Sequence, residues 1–138
     1  MKNFTTFLTL LCFTTLISCQ KEPGEGGTST IRGKILVVNL NAEGDTVQAP
    51  YYAMDQDVFI IYGDENQTYD DKFATSFDGS FEFNYLTPGS YTIYAYSECV
   101  ECPTGCDACP SGERAVIRTV EISEKKQEIV LEDIVILE

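Results

Sequence analysis

From residue 29 onward, apolar residues fall on alternate positions or in short runs, and no stretch sustains a helical spacing. A period of two is the signature of β-strands, whose successive side chains point to opposite faces. The pattern predicts strands over 29–38, 57–62, 73–77, 80–85, 91–96, 115–122 and 127–137, seven in all. Turn chemistry separates them. NLNAEGDTVQAP and GDENQTYDD are polar, Asp78-Gly79 suits a tight hairpin, Thr87-Pro88-Gly89 a corner, and SEKKQ a short connection. Phe81, Phe83 and Tyr85 share one face of their strand, and Ser80, Glu82 and Asn84 the other. Tyr91, Ile93 and Ala95 should face a core while Thr92, Tyr94 and Tyr96 point outward. DVFIIY at 57–62 reads as a central, buried strand. The connections suit antiparallel pairing, so the expected fold is an all-β sandwich.

The chain begins differently. Lys2 precedes an uncharged, mostly apolar run over 4–17, too short to span a bilayer and suited to the apolar region of a secretory signal peptide. The run ends in Leu16-Ile17-Ser18-Cys19, which resembles the lipobox of bacterial lipoproteins. That resemblance implies a signal peptide over 1–18, cleavage before Cys19, and acylation (palmitate) of Cys19. The protein would then be held to the outer membrane by lipid, facing the periplasm or the cell surface. Residues 19–28 are rich in Gly, Glu, Pro and Thr and read as a flexible tether, leaving 29–138 as one domain.

Charge narrows the partners. The chain carries 22 acidic and 9 basic residues, a formal charge of −13. A phosphate backbone is repelled by such a protein, so nucleic acid is excluded as a partner. An anionic membrane surface is repelled as well, so attachment falls to the lipid. The chain holds no histidine, so Ser/His and Cys/His catalytic pairs are ruled out. Asp64, Glu65, Asp70 and Asp71 sit in a polar turn that gives no apolar surroundings to raise a carboxyl pKa, and their spacing matches no EF-hand. The sequence therefore points away from an enzyme. The remaining partners, besides the membrane, are an envelope protein or a glycan. Outward Tyr94 and Tyr96 are candidate contacts, because tyrosine gives large contact area at low entropic cost.

Residues 98–113 read ECVECPTGCDACPSGE. Cys99, Cys102, Cys106 and Cys109 are spaced C-x2-C-x3-C-x2-C, between the strands at 91–96 and 115–122. Outside the cytoplasm such cysteines form disulfides, and three pairings are open. The alternatives are a four-cysteine site for Zn2+, or thiol–disulfide exchange. Zinc ribbons space their two pairs more widely, and the acidic neighbours, Glu101 and Asp107 among them, disfavour four thiolates. No other cofactor is implied. A disulfide-stapled loop rimmed by Glu101 and Asp107 is a second candidate surface.

Four stretches carry a family resemblance: IRGKI at 31–35, VFI at 58–60, TSFDGSFEF at 75–83 and LTPGSYTI at 86–93. Together they resemble a carboxypeptidase regulatory-like domain, a transthyretin-like (prealbumin-like), Ig-like Greek-key β-sandwich of seven strands. The resemblance implies a non-catalytic binding or structural module. It places Phe81, Phe83 and Leu86 in the core, and Tyr91 at a tyrosine corner with its hydroxyl on nearby backbone. Collagen-adhesin repeats of similar fold join a lysine to an aspartate or asparagine with help from a buried glutamate. Lys34 and Asp133 stand where such partners would, but Ala95 stands at the glutamate position, so no isopeptide bond is expected.

Overall fold

The computed structural model describes residues 22–64, 68–99 and 109–138. Among these residues the protein is all β, with no helix and two sheets. The strands are β1 (Glu25–Val38), β2 (Tyr51–Tyr52), β3 (Asp57–Tyr62), β4 (Asp71–Ala74), β5 (Ser80–Leu86), β6 (Gly89–Glu98), β7 (Glu113–Ile122), β8 (Glu128–Val130) and β9 (Ile134–Leu137). The long β1 is the spine of the first sheet. One of its sides carries β5 and β2, antiparallel, and the other carries β8 and β9, parallel. The second sheet runs β4-β3-β6-β7, antiparallel throughout.

Alternation builds the core. Ile31, Ile35 and Val37 of β1, Phe81 and Phe83 of β5 and Ile134 and Ile136 of β9 are buried on one side. Facing them are Val58 and Ile60 of β3, Tyr91, Ile93 and Ala95 of β6, and Val120 and Ile122 of β7. The two sheets thus share a single apolar layer, the arrangement of a β-sandwich. The predicted inward set of β6 and the core roles of Phe81, Phe83 and Leu86 hold.

Several expectations change. Among the described residues nine strands stand where seven were predicted, because Tyr51–Tyr52 adds a short edge and the final predicted strand is split around 131–133. Both halves of that last segment run parallel to β1, since the connection after β7 crosses to the other sheet instead of folding back. The Asp78-Gly79 turn is present, closed by Gly79 N–H donating to Ser76 O at 2.9 Å. It joins β4 and β5, which lie in different sheets, so it forms a corner between layers. Tyr85 leaves the core face and is 73% exposed. Its φ of 60° makes a bulge that inserts one residue and turns Leu86 inward in its place.

The expected tether is shorter than its composition suggested. Glu25 to Thr28 already belong to β1, and Glu22 and Gly24 before them are tied to the domain. The buried Tyr91 hydroxyl donates to Thr87 O at 2.6 Å and accepts from Gly24 N–H at 3.0 Å. Thr87 N–H donates to Gly24 O at 2.9 Å, and Thr87 Oγ1 donates to Glu22 O at 2.9 Å. The corner predicted for Tyr91 therefore also anchors the start of the domain. Tyr91→Phe would leave buried backbone groups without their partner, at a cost of about 1–3 kcal/mol. Urea denaturation should register that loss with an unchanged m-value.

Candidate functional site

β3 and β6 lie side by side in the middle of the second sheet, with Phe59 directly opposite Tyr94. Burial of Val58 and Ile60 forces Phe59 to the outer face, just as burial of Ile93 and Ala95 forces Tyr94 and Tyr96 there. Aromatic rings therefore gather on the solvent side. Phe59 stacks on Tyr94 at 5.1 Å between centroids, with planes 19° apart. Tyr96 meets both edge-on, 5.6 Å from each. Tyr69, from the connection before β4, closes on Phe59 at 4.9 Å. Ile117 of β7 lies opposite Tyr94 and is 54% exposed, extending the apolar strip to the sheet edge. On the other side Lys72 of β4 faces Phe59 and holds Asp57 at 2.8 Å. The hydrogen bond from Lys72 to Asp57 raises its ammonium pKa. The outer face is an aromatic cluster with phenol groups, bordered by one ion pair.

The predicted contacts Tyr94 and Tyr96 are thus brought together. Tyr69, a further tyrosine of the sequence, joins them, as do Phe59 and Ile117, which the sequence pattern did not single out. For Phe59 the signal was present: in DVFIIY it alternates with Val58 and Ile60, but a run so apolar reads as buried on both faces. Burial raises the Tyr94 pKa, with Tyr96 adding to the effect through its charge and a hydrogen bond.

At one end of β6 and β7 the chain closes on itself. The two strands pair without interruption from Gly89–Ile122 to Glu98–Glu113. Just beyond, Cys99 and Cys109 are joined in a disulfide with Cα atoms 6.6 Å apart, both nearly buried. Cys99 N–H donates to Gly112 O at 2.9 Å, so the cystine continues the ladder. This pairing rules out both local CxxC bridges. Of the four loop cysteines, a second disulfide has only Cys102 and Cys106 left to join. The bond also takes two of the sulfurs that a zinc site built on all four cysteines would need as thiolates. Cys102, Cys106, Glu101 and Asp107 lie outside the described residues, as does Cys19. Among the described residues no group of three or more Cys, Asp or Glu is arranged to hold a metal ion.

A groove beside the first sheet, lined by Lys34, Tyr52, Asp78 and Asp133 together with Phe73 and Leu131, has these charges already engaged. Lys34 holds Asp78 at 3.1 Å and lies 4.8 Å from the centroid of the Tyr52 ring. Tyr52 donates to Asp133 at 2.9 Å, and Arg32 pairs with Glu128. Hydrogen bonds from Ser80 and Lys34 pull the Asp78 pKa down to about 2. Lys34 is therefore an outward lysine on the central strand, held in an ion pair.

No known family's sequence profile matches the chain. No curated protein matches it either. Among solved structures, it is similar to a candidate carbohydrate-binding protein from Pseudomonas aeruginosa, 15% identical, with a TM-score of 0.46. The match covers 79% of this chain and 90% of that one. No helix among the described residues is long and apolar enough to cross a membrane.

Two measurements follow from the geometry. The cystine closes a loop of sequence separation 10, so replacing Cys99 and Cys109 together by serine should lower stability by about 2–3 kcal/mol in thermal melts. Burial pushes the Tyr62 pKa up to about 12, from 10.0 in an unfolded chain. Its neutral form is favoured by the fold, so its contribution is complete below pH 10 and is lost as pH rises from 10 to 12. Ultraviolet phenolate titration should show Tyr62 ionising late, and Tyr62→Phe should flatten the alkaline fall in stability.

Proposed function

We propose that this chain is a non-enzymatic envelope lipoprotein whose β-sandwich binds neutral glycan through the outer face of β3 and β6. The aromatic cluster of Phe59, Tyr69, Tyr94 and Tyr96 is the observation that carries this reading. A folded domain gains nothing in core stability from exposing Tyr69 at 47% and Tyr96 at 43%, so their gathering on one face suits a contact surface. Phenol rings give sugars an apolar surface with hydroxyl groups beside it. The strongly acidic chain repels polyanions, which favours an uncharged ligand.

The location rests on Leu16 to Cys19, read as a lipobox that leaves acylated Cys19 as the mature terminus after removal of 1–18. A disulfide at Cys99–Cys109 accords with an oxidising compartment. The anchored face is that of the outer membrane, toward the periplasm or the surface. We class the sandwich as transthyretin-like, of Greek-key type, on the corner at Tyr91 and the core roles of Phe81, Phe83 and Leu86.

Binding of the purified domain to an array of neutral glycans tests the proposal. Tyr94→Ala and Tyr96→Ala should each weaken the glycans retained by about tenfold, the value of one good aromatic contact. Their melting temperatures should stay close to that of the parent. No retention of any neutral glycan, or equal retention by the variants, would rule this face out.

A further inference from the structure

The start of the described chain is pinned at one pole of the sandwich. Besides the Tyr91 and Thr87 bonds to Gly24 and Glu22, Pro23 packs so closely on Gly89 that a Cβ there would lie 2.5 Å from Pro23 Cγ. A Cβ at Gly27 would lie 1.9 Å from the Leu86 carbonyl oxygen, so only glycine lets β1 run this close to β5. The pole also carries Gly63 and Asp64 after β3, Ser90 at the start of β6, and Glu121 and Ser123 at the end of β7. Only residues 20 and 21 separate Cys19 from Glu22. Three Cα steps reach about 10 Å at most.

From these distances we infer that this pole is seated against the bilayer surface, so that the domain stands in one orientation with the Cys99–Cys109 hairpin end outermost. The inference rests on acylation of Cys19, proposed above. β6 leaves the pole at Gly89 and ends at Glu98, a path of about 30 Å at 3.4 Å per residue. The cystine lies just past that end. Tyr94 and Tyr96 fall about 17 and 24 Å along the same strand, so the aromatic face looks sideways, along the membrane plane. Glu22, Asp64 and Glu121 line the seated pole and offer anionic headgroups no attraction. Short spacing and acyl chains, not charge, set the contact. The partner of the aromatic face is thereby limited to material close to the membrane, approached from the side.

The chain has no tryptophan, so one introduced indole reports a single position. The full lipidated protein in vesicles bearing a dansyl headgroup lipid would be compared as Asp64→Trp, at the pole, and Ser111→Trp, beside the cystine. Glu121→Trp supplies a second pole position should the first variant fold poorly. Energy transfer to the headgroup dye should be several-fold stronger from the pole positions than from position 111. A flexible Gly/Ser insert of about 20 residues after Lys21, spanning about 25 Å, should abolish the difference. Equal transfer from both ends at native spacing, in protein that floats with the vesicles, would overturn the orientation while leaving the anchor standing. An unmodified Cys19 by intact mass, with no co-flotation, would overturn the anchor and the orientation together.

Discussion

The Tyr91 hydroxyl is the point on which the rest of the structure depends. It lies fully buried, between the corner at Thr87 and the incoming chain at Gly24. A buried hydroxyl without partners is costly, so the ring can enter the core only where backbone groups meet its oxygen. Those groups are supplied by two segments far apart in sequence. Satisfying one phenol therefore fixes the turn into β6, the entry of β1, and the closure of one end of the sandwich. The start of β1 in turn is the template for β5 and β8.

From that end, β6 links the features that bear on function. Its inner side chains join the core, its outer ones build the aromatic face with β3, and its far end is closed by the cystine. The β3–β6 and β6–β7 ladders hold Tyr94 opposite Phe59 on one side and Ile117 on the other. A binding surface assembled on paired strands holds its geometry without ligand, so little ordering cost remains on association. The charged groove beside the opposite sheet has a different character. Lys34, Asp78, Tyr52 and Asp133 already satisfy one another there.

Much of the architecture was legible because local rules agreed. Alternation placed Ile93 and Ala95 inward and Tyr94 and Tyr96 outward, and the hairpin role of the cysteine loop followed from its flanking strands. Reading failed where a local rule was broken by a distant contact. Tyr85 looked like a core residue until a left-handed bulge shifted the phase by one. The last segment looked like one antiparallel strand, yet its pairing depends on which sheet it returns to. Gly, Pro and Glu before residue 29 read as tether because composition does not show that Glu22 and Gly24 have partners at Thr87 and Tyr91.

By itself, then, the sequence determined the β period, the inward and outward sets of β6 and the confinement of four cysteines to one connection. These follow from side-chain alternation and turn stereochemistry, which act over a few residues. Tertiary structure decided which strands share a sheet, that β8 and β9 run parallel to β1, that Cys99 joins Cys109, and that Phe59 meets Tyr94 on the outer face. Those outcomes depend on pairings between residues ten to a hundred positions apart. Such pairings are settled by which arrangement buries one apolar layer and leaves its backbone bonded, and no local pattern encodes that choice.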